Sequence, residues 1–280
     1  MTGRGLLAFT VAFIPTSLAA QVGPAEPLVV GETFTIESQV LGETRRINVY
    51  APAAYQGRDG PALPVLYMPD GGMGEDFLHV AGLVQIGSLE LHSWCARRDR
   101  LDRPDRMVID LDPDESLPFE AVIDAALRIR DRLRDAGLVP YVMTTGGKGV
   151  HVVAPLRRTA GWDPVREAAR ALAHSLQAEE PDRFIAKASK TAREGRIFID
   201  WMRNGFGATS INAYSTRARP GAPVATPLSW QELEAGVRAG DFNVETVPDR
   251  LRTLERDPWT DFRRSARSMS RSVRARLAPS

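Results

Sequence analysis

Arg106-Met107-Val108-Ile109-Asp110-Leu111-Asp112, followed after a short turn by Phe119-Glu-Ala-Val122-Ile123-Asp-Ala-Ala126-Leu-Arg-Ile129-Arg-Asp-Arg-Leu133, decides the fold. The first run alternates apolar and polar residues towards its end, which predicts a strand with one face in a core. The second repeats apolar residues at helical spacing, with Phe119, Val122, Ile123, Ala126, Ile129 and Leu133 on one face, and predicts a helix over Pro118–Ala136. Gly137 stops it, as glycine after a last helical turn does.

The same alternation continues downstream. Val139–Thr144 and Val150–Val153 read as strands joined by a Thr145–Gly149 turn. Asp163–Gln177 reads as a helix with Asp163-Pro164 as cap and first position, and Arg196–Trp201 as a further strand. Ser229-x-x-Glu232 is a capping box opening another helix. Strands alternating with helices give an α/β (α+β) class. An α/β core is expected over residues 87–250, with one or two helices from the Arg-rich C-terminal segment.

Upstream of residue 87 the character changes. Arg4, the apolar run Leu6–Ile14 and the small residues Ser17–Ala20 follow the signal-peptide pattern over residues 1–20, too short to span a bilayer as a helix. Thr33–Ile36 and Arg46–Tyr50 alternate as strands do, and Pro64–Met68 reads as a buried strand ending at a Gly-rich turn. Residues 1–87 hold four Arg and eight Asp/Glu, so the chain's net charge of +1 divides into −4 before residue 88 and +5 after it. Nine Arg lie between Arg250 and Arg276. That asymmetry fits a polyanionic partner for the second part, or simply a solvated basic helix. Cys95 is the only cysteine, which excludes a disulfide framework and a Cys-rich zinc site.

Four stretches carry chemistry. Asp110 and Asp112, two apart on a strand, point to the same side. They would repel unless a hard cation such as Mg²⁺ or Mn²⁺ lies between them, though a solvated strand end also reads this way. Phe198-Ile199-Asp200-Trp201 places one acid on an apolar strand, costly unless it is paired or metal-bound. Three such aspartates on neighbouring strands form the carboxylate set of nucleotidyl transfer, in which two metals about 3.5–4 Å apart activate a 3′-hydroxyl and stabilise the leaving pyrophosphate. Thr144-Thr145-Gly146-Gly147-Lys148-Gly149-Val150-His151 offers close backbone approach to phosphate, with Thr145, Lys148 and His151 as added donors; a plain β-hairpin would look the same. It is no P-loop, because the spacing differs and a strand follows. Arg203, and Arg217 with Arg219, suit phosphate contacts or a surface loop.

In order and spacing these stretches, within "IGSLELHSW … MVIDLDPD … TTGGKGVHVVAPL … RIFIDWMRN … ATSINAYSTRARPGAPVATPLSW", resemble the polymerase domain of bacterial ATP-dependent DNA ligase D, of the archaeo-eukaryotic primase superfamily. The resemblance covers residues 83–277. It implies a primase-like core with a mixed β-sheet flanked by helices. It also implies metal ligation by Asp110, Asp112 and Asp200, nucleotide contacts from His92, Thr145, Lys148 and His151, and triphosphate or nucleic-acid contacts from Arg203, Arg217 and Arg219. The implied activity is Mn²⁺- or Mg²⁺-dependent filling and extension of gapped or overhanging DNA ends from nucleoside triphosphates, during non-homologous end joining, alongside Ku and a ligase. It would take place at the nucleoid, in conflict with the export implied by residues 1–20.

Residues 25–85, with "RRINVYAPAAY … LPVLYMPDGG", resemble instead the opening of secreted α/β-hydrolase esterases. No Gly-x-Ser-x-Gly elbow occurs, and His79, His92, His151 and His174 all fall too early for a triad histidine. The expected organisation is a signal-like segment (1–20), a truncated esterase-like segment (21–86) and a polymerase-like domain (87–280) without the family's N-terminal section, a chimera in appearance. The expectation is a nucleotidyltransferase, inactive if loss of that DNA-binding section is decisive, with a secreted esterase lacking its triad or a non-catalytic nucleotide- or DNA-binding remnant as the alternatives.

Overall fold

The computed structural model describes residues 32–38, 43–49 and 89–278. The signal-like segment, Pro64–Met68 and the Gly-rich turn after it lie outside the described residues. The chain divides into two compact units, Met1–Tyr67 and Met68–Ser280. In the first, β1 (Glu32–Ser38) and β2 (Glu43–Val49) form an antiparallel pair with Glu32 opposite Val49 and Ser38 opposite Glu43. The expected strands Thr33–Ile36 and Arg46–Tyr50 fall on these two, with Tyr50 outside the described residues.

The second unit is built on β6 (Arg106–Pro113). On one side it pairs antiparallel with β8 (Val150–Pro155), which pairs with β7 (Tyr141–Thr144), and β7 with the short β12 (Pro227–Leu228). On the other it pairs antiparallel with β10 (Ile197–Asp200), and β10 pairs in parallel with β9 (Phe184–Ile185). The sheet order is therefore β12-β7-β8-β6-β10-β9, mixed through its last pair.

Period-two alternation sorts β6 into two faces. Met107, Ile109 and Leu111 enter a large core with Val150, Val152, Ile197 and Ile199, covered by α1 (Phe119–Asp135) and α2 (Trp162–Glu179). Val108, Asp110 and Asp112 take the opposite face. There Val108 and Val153 pack with Cys95 and Trp162, while Met143 packs with Ile211 and Ala225. A two-stranded ribbon of β3 (His92–Trp94) and β11 (Thr209–Ile211) contributes to this side, with Trp94 opposite Thr209 and His92 opposite Ile211.

Helix ends follow local chemistry in two cases and tertiary contact in a third. After α1, the Gly137 N–H donates to the Arg134 carbonyl (2.8 Å) and the Leu138 N–H to that of Leu133 (2.9 Å), with Gly137 at φ +92°. This is a Schellman closure. Ser229 and Glu232 form the expected reciprocal capping box at α3 (Trp230–Glu234). Helix α2 departs from expectation: it starts at Trp162, so Asp163 lies inside the first turn and caps nothing. The Trp162 indole donates to the Leu101 carbonyl (2.8 Å), and this tie to β5 (Arg100–Pro104) accompanies the earlier start. The C-terminal segment yields α4 (Thr246–Thr253) and α5 (Arg271–Leu277), and α5 buries Val273 and Leu277 in the main core. The packed core thus extends past the Arg250 limit read from the sequence, because those two apolar residues are the only buried ones of an otherwise basic helix.

Candidate active site

Three strands bring three ionisable side chains into one cross-strand row. Asp110 of β6 stands opposite His151 of β8 on one side and opposite Asp200 of β10 on the other. Asp112 follows two residues on and projects from the same face. The row exists because both neighbouring strands pair with β6 in a register that brings their single polar inward-facing residue to the level of Asp110.

Strand β10 stops at Asp200 for a reason visible in its side chains. The Asp200 carboxylate accepts from the Met202 N–H (2.9 Å), turning the chain into a 3₁₀ segment, Met202–Asn204. The fully buried Asn204 amide then takes the place of a strand residue. Its Oδ1 accepts from the Val108 N–H (2.8 Å) and its Nδ2 donates to the Val108 carbonyl (2.7 Å). The turn brings Arg203 back over the row, where its Nε lies 3.3 Å from Asp110 Oδ2 and 3.1 Å from Asp200 Oδ2.

The two carboxylates are tuned in opposite directions. Burial pushes Asp110 up, but the adjacent His151 imidazole and Arg203 guanidinium more than offset it and hold the carboxyl below its ordinary range. Burial also pushes Asp200 up; Arg203 opposes this, Asp110 adds to it, and the net direction is upward. Asp112 turns elsewhere, its Oδ2 accepting from Arg193 (2.8 Å) and its Oδ1 lying 3.8 Å from Lys148 Nζ. Among the described residues no three His, Cys, Asp or Glu side chains converge closely enough to form a ready metal cluster. Asp110 and Asp200 converge on one cation, Arg203, and Asp112 on another.

Above the row lies an open cleft lined by His92, Asp110, Asp112, Thr145, Lys148, His151, Arg203, Arg217 and Arg219, together with Ser210 and Ile211. Nine of the ten residues singled out from the sequence line it; Asp200 lies beside it, joined through Arg203. The glycine turn approaches β6 so closely that a Cβ on Gly149 would fall 2.5 Å from the Leu111 carbonyl oxygen. Gly146 has φ +67°, and a Cβ there would fall 2.7 Å from the Arg217 side chain. The Thr145 hydroxyl donates to the Gly149 carbonyl (3.1 Å), closing the turn.

The Arg-x-Arg pair divides its labour. Arg217 donates to the Thr145 carbonyl (2.6 Å) and its Nε lies 3.1 Å from Glu90 Oε1, so it fastens the glycine turn to the segment before β3. Arg219 has no carboxylate partner among the described residues and borders the cleft beside Gly147. Glu90 accepts from the Ala218 N–H (2.9 Å) and lies 3.2 Å from His92 Nε2. The backbone donor, with Arg217 and His92, lowers its carboxyl to about 2.

Sequence reasoning missed Glu90, Arg193 and Asn204. Glu90 had a signal, since it stands two residues before His92. Arg193, whose guanidinium stacks 3.8 Å from the Phe198 ring centroid, ends a short 3₁₀ helix, Lys190–Arg193, with no sequence pattern of its own. Asn204 stood in an Asn-Gly turn signal whose buried role only the fold reveals.

The family model described as "LigD, primase-polymerase domain" matches residues 72–259. Residues 72–86, read from the sequence as the end of an esterase-like segment, lie inside that match. The multifunctional non-homologous end joining protein LigD of Pseudomonas aeruginosa is 40% identical over 199 residues, covering 71% of this chain and 24% of that protein. The bifunctional non-homologous end joining protein LigD of Bacillus subtilis is 29% identical over 164 residues, 58% of this chain and 27% of that protein. This chain therefore spans about a quarter of the length of these curated relatives. Among solved structures, the polymerase domain from Mycobacterium tuberculosis Ligase D in complex with DNA superposes with a TM-score of 0.61 at 24% identity, covering 88% of this chain and 78% of that one, a likeness of fold. With the family model matched across the Asp110–Asp200 row and the cleft above it, this chain belongs to the LigD primase-polymerase domain family.

Proposed function

We propose that this chain is a divalent-metal-dependent nucleotidyltransferase that adds nucleotides to gapped or overhanging DNA ends. The observation that carries the reading is the cross-strand row His151–Asp110–Asp200, with Asp112 on the same face, at the floor of a cleft rimmed by cationic side chains. The donor chemistry fits Mn²⁺ or Mg²⁺, being carboxylate oxygen throughout. Arg203 already places one positive group against both Asp110 and Asp200, where a cation is wanted. Asp110, Asp112 and Asp200 would hold the metals, which when bound would activate the 3′-hydroxyl and stabilise the leaving pyrophosphate.

The remaining residues receive the nucleotide. Arg219 and Lys148 present donors to the cleft for the triphosphate. Arg217 positions the Gly146–Gly149 turn, and Arg203 would be free to contact phosphate once the aspartates held metal. His92 and Thr145 at the cleft wall and His151 at its floor would contact the incoming nucleotide. DNA as partner is supported by the complex named for the Mycobacterium structure, and end joining, with Ku and a ligase at the nucleoid, by the names of the relatives. Among the described residues no helix is long and apolar enough to cross a membrane.

The test is primer extension on a gapped duplex with Mn²⁺ and nucleoside triphosphates, comparing the wild type with Asp110→Ala and Asp200→Ala. Incorporation by the wild type and its loss in both variants is expected. Nucleotide binding without incorporation by the wild type would replace the reading with a binding remnant.

A further inference from the structure

Phe206 is the most exposed large apolar residue among those described, at 65%, and it is held between Gly205 and Gly207 on the loop leading into β11. It does not stand alone. Its ring meets Trp94 edge-on (centroids 5.1 Å apart, 66° between planes) and Trp162 likewise (5.9 Å, 89°). Trp162 is itself tied to Leu101, which is 45% exposed. An aromatic side chain supported by two others, with its outer side in water, is a costly arrangement for a surface with nothing to bind.

The surroundings state which chemistry it suits. The hairpin of β4 (Ala96–Arg97) and β5 beside Trp162 carries Arg97, Arg98, Arg100 and Arg103 against Asp99 and Asp102. Arg158 pairs with Asp99 and adds a further guanidinium. Arg100 is exposed and pairs with no carboxylate among the described residues. Exposed aromatic rings interleaved with cations are the composition that holds single-stranded nucleic acid, bases on rings and phosphates on guanidinium groups. The position agrees: Trp94 lies two residues along β3 from His92 at the cleft, about 6.6–6.8 Å at strand rise, or about two base steps.

We propose that the Phe206–Trp94 surface, flanked by the Arg-rich β4–β5 hairpin, is a stacking platform for a single-stranded stretch of nucleic acid leading to the cleft. It deepens the nucleotidyltransferase reading by assigning a place to the unpaired strand, and it is measured without nucleotide or metal, so either can fail alone.

The experiment is fluorescence anisotropy with labelled oligo-dT and with an abasic oligonucleotide of the same length, across a salt series. The wild type is expected to prefer oligo-dT, and Phe206→Ala to weaken oligo-dT binding by about 5- to 150-fold while leaving abasic binding unchanged. Phe206→Trp should retain the preference and Phe206→Leu should lose it, since stacking needs a ring. Arg100→Ala should weaken both ligands and flatten the salt slope by about 0.7. Equal binding of the two oligonucleotides by the wild type, or wild-type affinity in Phe206→Ala, overturns the proposal. So does full retention of the preference in Phe206→Leu, which would show that no ring is needed.

Discussion

Asp110 and Asp200 stand directly opposite one another on adjacent antiparallel strands, and both are nearly buried. Arg203 is the cation that lies against both of them, while His151 faces Asp110 from the other side. Replacing Arg203 by alanine removes the one guanidinium the two carboxylates share, which costs about 1–3 kcal/mol. Arg203→Ala should therefore melt below the wild type in chelator and regain most of the difference in Mn²⁺. Thermal unfolding in both conditions checks this; equal Mn²⁺ shifts in variant and wild type would refute it.

Asn204 substitutes for a missing strand residue by satisfying both backbone groups of Val108. Asn204→Leu removes both partners from a buried site, at about 1–3 kcal/mol for each group left unpaired. Asn204→Asp keeps the acceptor but sets a buried carboxylate oxygen against the Val108 and Trp201 carbonyls, so it should destabilise at least as much. Denaturant unfolding ranks the three proteins, and a Leu variant as stable as the wild type would contradict the account.

Gly149 leaves no room for a side chain, because its Cβ would fall 2.5 Å from a backbone oxygen of β6. Gly149→Ala should cost about 1–3 kcal/mol through displaced backbone. It should also lower nucleotide affinity, because the turn carrying Lys148 moves. Gly161→Ala, whose nearest neighbour is the end of the Arg103 side chain at 3.9 Å, serves as the tolerant control in the same unfolding measurement.

Glu90 holds its proton only in strong acid, its carboxyl being lowered from 4.5 to about 2. The folded value is depressed, so its stabilising contribution is complete above pH 4.5 and fades as pH falls towards about 2. Carboxyl-carbon NMR of Glu90 should show no titration near 4.5. A midpoint there would mean that the Ala218 and Arg217 contacts are not made in solution.

What the sequence disclosed followed from locality. Periodicity placed β6 and α1, and Gly137 and the Ser229–Glu232 pair marked their helix ends, because those signals act within a few residues. The cleft residues were readable because Asp110, Thr145, His151 and Arg217 sit in dense, ordered motifs. Residues working across long separations were not. Trp162 starts its helix early alongside a bond to Leu101, Asn204 serves a strand 96 residues away, and Arg193 answers Asp112 from a short 3₁₀ helix 81 residues on. Nor could the sequence show that Arg217 is spent on holding the glycine turn, leaving Arg219 for the cleft.

The cross-strand row makes this centre a frame check on the whole sheet. Side chains alternate along each strand, so a shift of β10 by one residue would replace Asp200 with Ile199 beside Asp110 and drive the carboxylate into the apolar layer under α1 and α2. The same shift in β8 would exchange His151 for a valine. A slipped strand therefore leaves the row incomplete, and the meeting of His151, Asp110 and Asp200 reports that three strands have paired in the correct frame.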